Sequence, residues 1–207
     1  MALNYVSNFL ALLLILFPFI TLVASDPDIV SDFITPPNFF GSINGSFFTY
    51  TGLRSTISEP IPQTFKVTKA TLAEFPALDG QSISFAVLEF PPGGINPPHT
   101  HPRASELLLV TLGTLEVAFI DTKNVPFTQI LRTGDMFVFP KGLVHFQYNR
   151  NHQQPAAAVS AFGSANAGTV SVPTSVFGTG IDDVILAKAF KTDVATVMKI
   201  KAGITKP

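Results

Sequence analysis

Three of the chain's four histidines fall inside one two-part pattern, and that pattern restricts the fold more than any other feature. The first part, GGINPPHTHPRASELLLVTLG, covers residues 93–113 and carries His99, His101 and Glu106 at the spacing H-x-H-x4-E-x6-G. The second, GDMFVFPKGLVHFQYN, covers residues 134–149 and carries His145 at the spacing G-x5-P-x-G-x2-H-x3-N. Side chains two apart on a strand share a face, so His99 and His101 point the same way. Glu106 has an odd offset from His101 and would face the other side of an unbroken strand. The chain must therefore bend or bulge between them, and Pro102, with its fixed φ and missing donor, supplies a cause. His145 arrives from a separate strand, after a turn at Pro140-Lys141-Gly142. Four donors from three stretches converge inside a curved, closed sheet, which predicts a small β-barrel.

Three neutral imidazoles and a carboxylate suit a divalent first-row transition metal. The chain has no cysteine, so thiolate ligation is excluded. Structural zinc sites are usually tetrahedral and often rich in sulfur. A three-histidine, one-carboxylate set can instead be octahedral, with two positions left for water or substrate. Manganese or iron then fits, whereas affinity order alone favours copper or zinc, so the residues leave the metal open.

Short apolar runs separated by Gly and Pro recur from about residue 64 to 172. Candidate strands are 82–90, 106–112, 115–120, 128–131, 136–139, 144–148, 157–161 and 169–172. This is the pattern of an all-β jelly-roll barrel, placed at 61–172. Gly113 and Gly134 are expected in tight turns with positive φ. Met136, Phe137 and Phe139 are expected to fill the barrel. Phe90 and Phe146 are candidates for the wall of the metal pocket, with plain core packing as the alternative. Asn149 reads as a turn residue or an outer hydrogen-bonding partner of the site, and His152 as exposed.

Residues 26–60 read as an irregular N-terminal arm with short strands. Residues 173–207 read as a helical extension, with helices at 182–190 and 193–201 and Asp near each start. Their expected apolar stripes are Ile185, Leu186 and Phe190, then Val194, Val197 and Met198.

Residues 9–24 are almost unbroken apolar sequence, shorter than the roughly 18 residues a spanning helix needs. They end in Val23-Ala24-Ser25, small residues followed by Asp26, so residues 1–25 are expected to be a cleaved secretory leader. No membrane attachment is expected after cleavage. Asn44-Gly45-Ser46 is then a candidate glycosylation site, an unmodified Asn-Gly turn being the alternative. Lys and Arg number 13 against 14 Asp and Glu, which gives no case for nucleic acid as a partner. Only 13% of residues are charged and 46% are hydrophobic, a surplus that a large subunit interface would bury.

The two boxes, together with SDPDIVSDF after the leader and VPTSVFG near the C-terminus, resemble those of plant germins and germin-like proteins, within the cupin superfamily. The resemblance runs from about residue 25 to the end. It implies a cupin jelly-roll and manganese held by His99, His101, Glu106 and His145. It also implies a homo-oligomer, a hexamer built as a trimer of dimers, in the extracellular space, apoplast or cell wall, with a role in plant defence, the wall or storage.

Two departures stand out. Germins carry a disulfide near the N-terminus, whereas Ile34 occupies the first cysteine position here. The arm must then be held by packing, for which Phe39, Phe40, Phe47 and Phe48 are candidates. Germins that oxidise oxalate place two asparagines near the metal. One matches Asn96, but the other position holds Ala86, which cannot hydrogen-bond a carboxylate. The expected reaction is therefore dismutation of superoxide, a small oxygen-derived anion. Oxalate oxidation is the disfavoured alternative, and non-catalytic ligand binding or storage is the third.

Overall fold

The computed structural model describes residues 29–204, so the expected leader at 1–25 lies outside the described residues. Ten strands dominate it: β1 (Lys66–Ala70), β2 (Ser84–Phe90), β3 (Ile95–Thr100), β4 (Glu106–Leu112), β5 (Thr114–Ile120), β6 (Pro126–Arg132), β7 (Met136–Phe139), β8 (Val144–Tyr148), β9 (Ala156–Phe162) and β10 (Val170–Ser171). They form two antiparallel sheets of five, in the orders β1-β2-β9-β4-β7 and β10-β3-β8-β5-β6. The fold is an all-β jelly-roll, whose closure comes from two facing sheets rather than one continuous hydrogen-bonded cylinder.

Both sheets feed one core. Leu88, Phe90, Leu108, Val110, Phe139 and Ala158 from the first meet Leu115, Val117 and Leu131 from the second. The strands alternate as a half-buried sheet requires: β9 is buried at Ala156, Ala158, Ser160 and Phe162 and less so between them. Alternation also corrects one expectation. Phe139 is fully buried and Phe137 packs against the core, but Met136 and Val138 are 56% and 55% exposed on the outer face of the edge strand β7.

Gly113 and Gly134 have φ of 72° and 95°, as their turns demand. A Cβ on Gly113 would also lie 2.7 Å from the Pro155 carbonyl oxygen, so the β4–β5 turn has no room for one.

Strand β3 was not among the candidate strands, although the shared face of His99 and His101 assumes one there, and Pro97 and Pro98 lack the amide donors a ladder needs. It forms because a bulge between Asn96 and His99 takes up the two prolines, while Ile95, Asn96 and His99 still pair with β8. Strand β1 was also missed.

The arm differs from expectation. Residues 29–60 contain no strand and one short helix, α1 (Arg54–Ser58). Edge-to-face contacts link Phe33 to Phe48, Phe39 to Phe47 and Phe47 to Phe48, at centroid distances of 5.2, 5.0 and 4.9 Å. Phe40 takes no part and is 95% exposed. Ile34 lines a cavity of about 520 Å³ with Ile29, Leu72, Asp79, Arg103 and Ala165.

Three helices follow the barrel: α2 (Val172–Phe177), α3 (Asp183–Ala189) and α4 (Val194–Ile204). Val172, expected as the end of a strand, starts α2, capped by the Ser171 side chain with Pro173 in the first turn. Asp182 caps α3 by accepting from the amides of Val184 and Ile185. The buried stripe is narrower than expected: Leu186, Ala187 and Val197 are buried, with Val176 and Phe177 packed on them. Ile185, Phe190, Val194 and Met198 are exposed.

Candidate metal centre

The bulged end of β3 carries His99, and His101 follows one residue after the strand. The chain then bends at Pro102-Arg103 and enters β4, whose first residue is Glu106. This is the break the odd spacing required, and it carries the chain from one sheet to the other. His145 lies on β8 directly across from His99, and their ring centroids are 4.1 Å apart.

All four side chains are buried, and one donor atom from each lies within 4.8 Å of the others. The ring orientations are set by the backbone. His99 Nδ1 faces the Pro97 carbonyl at 2.8 Å, His101 Nδ1 that of Gly168 at 2.5 Å, and His145 Nδ1 that of Leu143 at 2.9 Å. A carbonyl only accepts, so each Nδ1 donates to the backbone and each Nε2 is left facing the cluster. The Nε2 atoms of His101 and His145 both stand 3.1 Å from Glu106 Oε2. A nitrogen and a carboxylate oxygen at that distance need positive charge between them, carried by a proton on the imidazole or by a cation. A divalent cation meets that need for all four groups, so this donor set fits a transition-metal ion.

Protonation points the same way. Burial, reinforced by repulsion from His145, pushes His99 down to about 4, so it is a neutral ligand near pH 7. For Glu106, burial acts to raise the carboxyl, but contacts with His101, His145 and Ser160 outweigh it and bring it down to about 2. Both groups lie below their ordinary values of 6.5 and 4.5, so the unfolded chain takes up protons first. The metal-free protein should therefore lose stability as pH falls, through His99 between about 6.5 and 4 and through Glu106 between about 4.5 and 2. Calorimetry of metal-free protein should show a falling Tm across that range, and a flat or rising Tm would contradict it.

A cavity of about 410 Å³ opens onto the cluster. His99, His101, Glu106, Asn96 and Ala86 line it, with Val67, Leu88 and Phe162 as apolar wall and Lys69 also in the lining. Asn96, expected at the pocket, is there, and its Nδ2 donates to Gln147 Oε1 at 2.7 Å. The other three outer candidates lie elsewhere. Phe90 sits in the core against Phe65. Phe146 falls between His145 and Gln147 on β8, so alternation turns it away from the cavity. Asn149 is a buried loop staple: its Nδ2 donates to the carbonyls of Pro91 and Gln154, and its Oδ1 accepts from the Asn151 amide. His152 is exposed on the same loop.

Two polar residues at the site went unnoticed in the sequence. Gln147 and Ser160 are fully buried, and both hydrogen-bond Glu106 Oε1. Gln147 could have been found by alternation, two places after His145. Ser160 sits in the run AAAVSAF, which carries no chemical motif.

The chain matches the Cupin family over residues 55–198. It is 58% identical to germin-like protein 9-3 of Oryza sativa subsp. japonica, over 92% of this chain and 91% of that one. It is 52% identical to germin-like protein 9-1 of the same plant, over 96% of this chain and 81% of that one. Among solved structures, an oxalate oxidase in complex with the substrate analogue glycolate superposes with a TM-score of 0.78 at 30% identity, covering 87% of this chain and 98% of that one. From the two boxes, the jelly-roll and these relatives together, the chain belongs to the cupin family and, within it, to the germin-like proteins.

Proposed function

We propose that this germin-like protein is a secreted manganese enzyme that dismutates superoxide. The observation that carries the reading is the buried cluster of three imidazoles and one carboxylate, open to a cavity whose wall holds Ala86 beside Asn96. Bound manganese supplies one-electron chemistry, oxidising one superoxide to dioxygen and reducing a second, with two protons, to hydrogen peroxide. The three imidazoles and Glu106 would hold that ion, and the carboxylate would offset part of its charge. Val67, Leu88 and Phe162 give the cavity an apolar side.

Oxalate needs hydrogen bonds to both its carboxylates. Ala86 offers none, which leaves one hydrogen of the Asn96 amide, the other being engaged with Gln147. Protein loaded with manganese should therefore consume superoxide well above the rate of free manganese and release no peroxide from oxalate. Superoxide turnover no faster than that of the free ion would end this reading. Oxalate turnover would replace it with the oxidase.

Other features support the rest of the proposal. Among the described residues no helix is long and apolar enough to cross a membrane. Asn44 is exposed in the arm, and its side-chain oxygen accepts from the amide and hydroxyl of Ser46, leaving the sequon accessible for a glycan. The exposed apolar residues Leu107, Met136 and Val138 on one sheet, with Ile185 and Met198 on the helices, suit subunit contacts of the kind a hexamer would make.

A further inference from the structure

The carboxylate of Glu106 is divided between two environments. Oε2 faces the imidazole cluster, 3.1 Å from His101 Nε2 and from His145 Nε2. Oε1 faces the opposite way, into the wall of the first sheet. There it accepts a 2.6 Å hydrogen bond from Ser160 Oγ and a 3.4 Å contact from Gln147 Nε2.

Ser160 is fully buried on β9, across from Leu108 of β4 on one side and Ala86 of β2 on the other. Its hydroxyl proton is committed to the carboxylate. Gln147 cannot turn its amide around, because its own oxygen accepts from Asn96 Nδ2 at 2.7 Å. Donation along the Asn96–Gln147–Glu106–Ser160 series thus converges from both ends on Glu106 Oε1.

We infer that Ser160 is a positioning residue that reserves Glu106 Oε1 for the protein and leaves only Oε2 to an ion, making the carboxylate a one-oxygen ligand. Without the hydroxyl, the longer Gln147 contact alone restrains Oε1. The carboxylate can then rotate about its terminal torsion, which is broad, and offer both oxygens. A carboxylate that uses both oxygens takes one of the positions an anion would otherwise enter. Ser160 therefore guards the open position by acting through Glu106. This inference rests on the proposal that the four residues hold a metal, but not on the reaction assigned to it.

The test compares the wild-type chain with Ser160→Ala and Ser160→Thr, each prepared metal-free and titrated with manganese alone. The readouts are affinity, the Mn(II) electron-paramagnetic-resonance spectrum and the metal-free Tm. Removing a partner of a metal ligand typically weakens binding about 10- to 100-fold, and Ser160→Ala should lose affinity in that range. Its Mn(II) spectrum should broaden or split as the coordination changes, and its metal-free Tm should fall modestly, because the buried carboxylate loses a donor. Ser160→Thr keeps the hydroxyl and should restore the wild-type spectrum. Ser160→Ala with wild-type affinity and spectrum would overturn the positioning role and leave the metal reading intact. A wild-type chain that binds no manganese would overturn both.

Discussion

Replacing His99 and His145 together with alanine should abolish manganese retention and with it superoxide turnover, while the barrel remains folded. The expected loss of affinity exceeds the roughly 100-fold limit for an outer partner, because two of the four donors themselves are gone. The fold should survive because both histidines lie beside the core. Leu88, Phe90, Leu108, Val117 and Phe139 make up the main cluster without either imidazole. The substitutions leave the Pro97 and Leu143 carbonyls without their imidazole partners, a cost of about 1–3 kcal/mol for each group that water does not reach. Metal content after dialysis and far-UV circular dichroism on the same sample check the two halves separately. Retention of one ion per chain by the folded double variant would remove these residues from the metal site.

Phe139→Ala should give the largest loss of stability among single core changes, about 3–5 kcal/mol. Phe139 ends β7 fully buried, with its ring 5.1 Å from that of Phe137. It also stacks on His145, at a centroid distance of 4.4 Å and an interplanar angle of 22°. Alanine would open a hole beside the cluster that the two sheets cannot close without moving a ligand. Metal affinity should therefore fall along with stability. Urea unfolding of the metal-free protein measures the first effect without the second. A loss under about 1 kcal/mol would mean that the surroundings collapse into the space.

The candidate site was more legible in the sequence than the strands that build it. His99 and His101 share a face by strand periodicity alone, and the odd step to Glu106 foretold a break that the structure places at Pro102-Arg103. That step is informative because it marks where the chain changes sheets. Strand β3 was hidden for the opposite reason. Two prolines argue against a ladder, and only pairing with β8 around a bulge makes the strand tolerable. Ser160 was hidden because a serine among alanines shows nothing until β9 is set in register against β4. Met136 and Val138 were misplaced or passed over because edge strands can carry apolar residues on both faces, and only three-dimensional neighbours reveal which face is covered.

The origin of the four donors has a mechanical consequence. Glu106 belongs to one sheet, whereas His99 and His145 belong to the other. An ion gripped by all of them is a rivet through the sandwich, fastening two layers that otherwise touch mainly through apolar side chains. Its removal should loosen the layers against each other before either unravels, with amide exchange quickening first along β3, β8 and the start of β4.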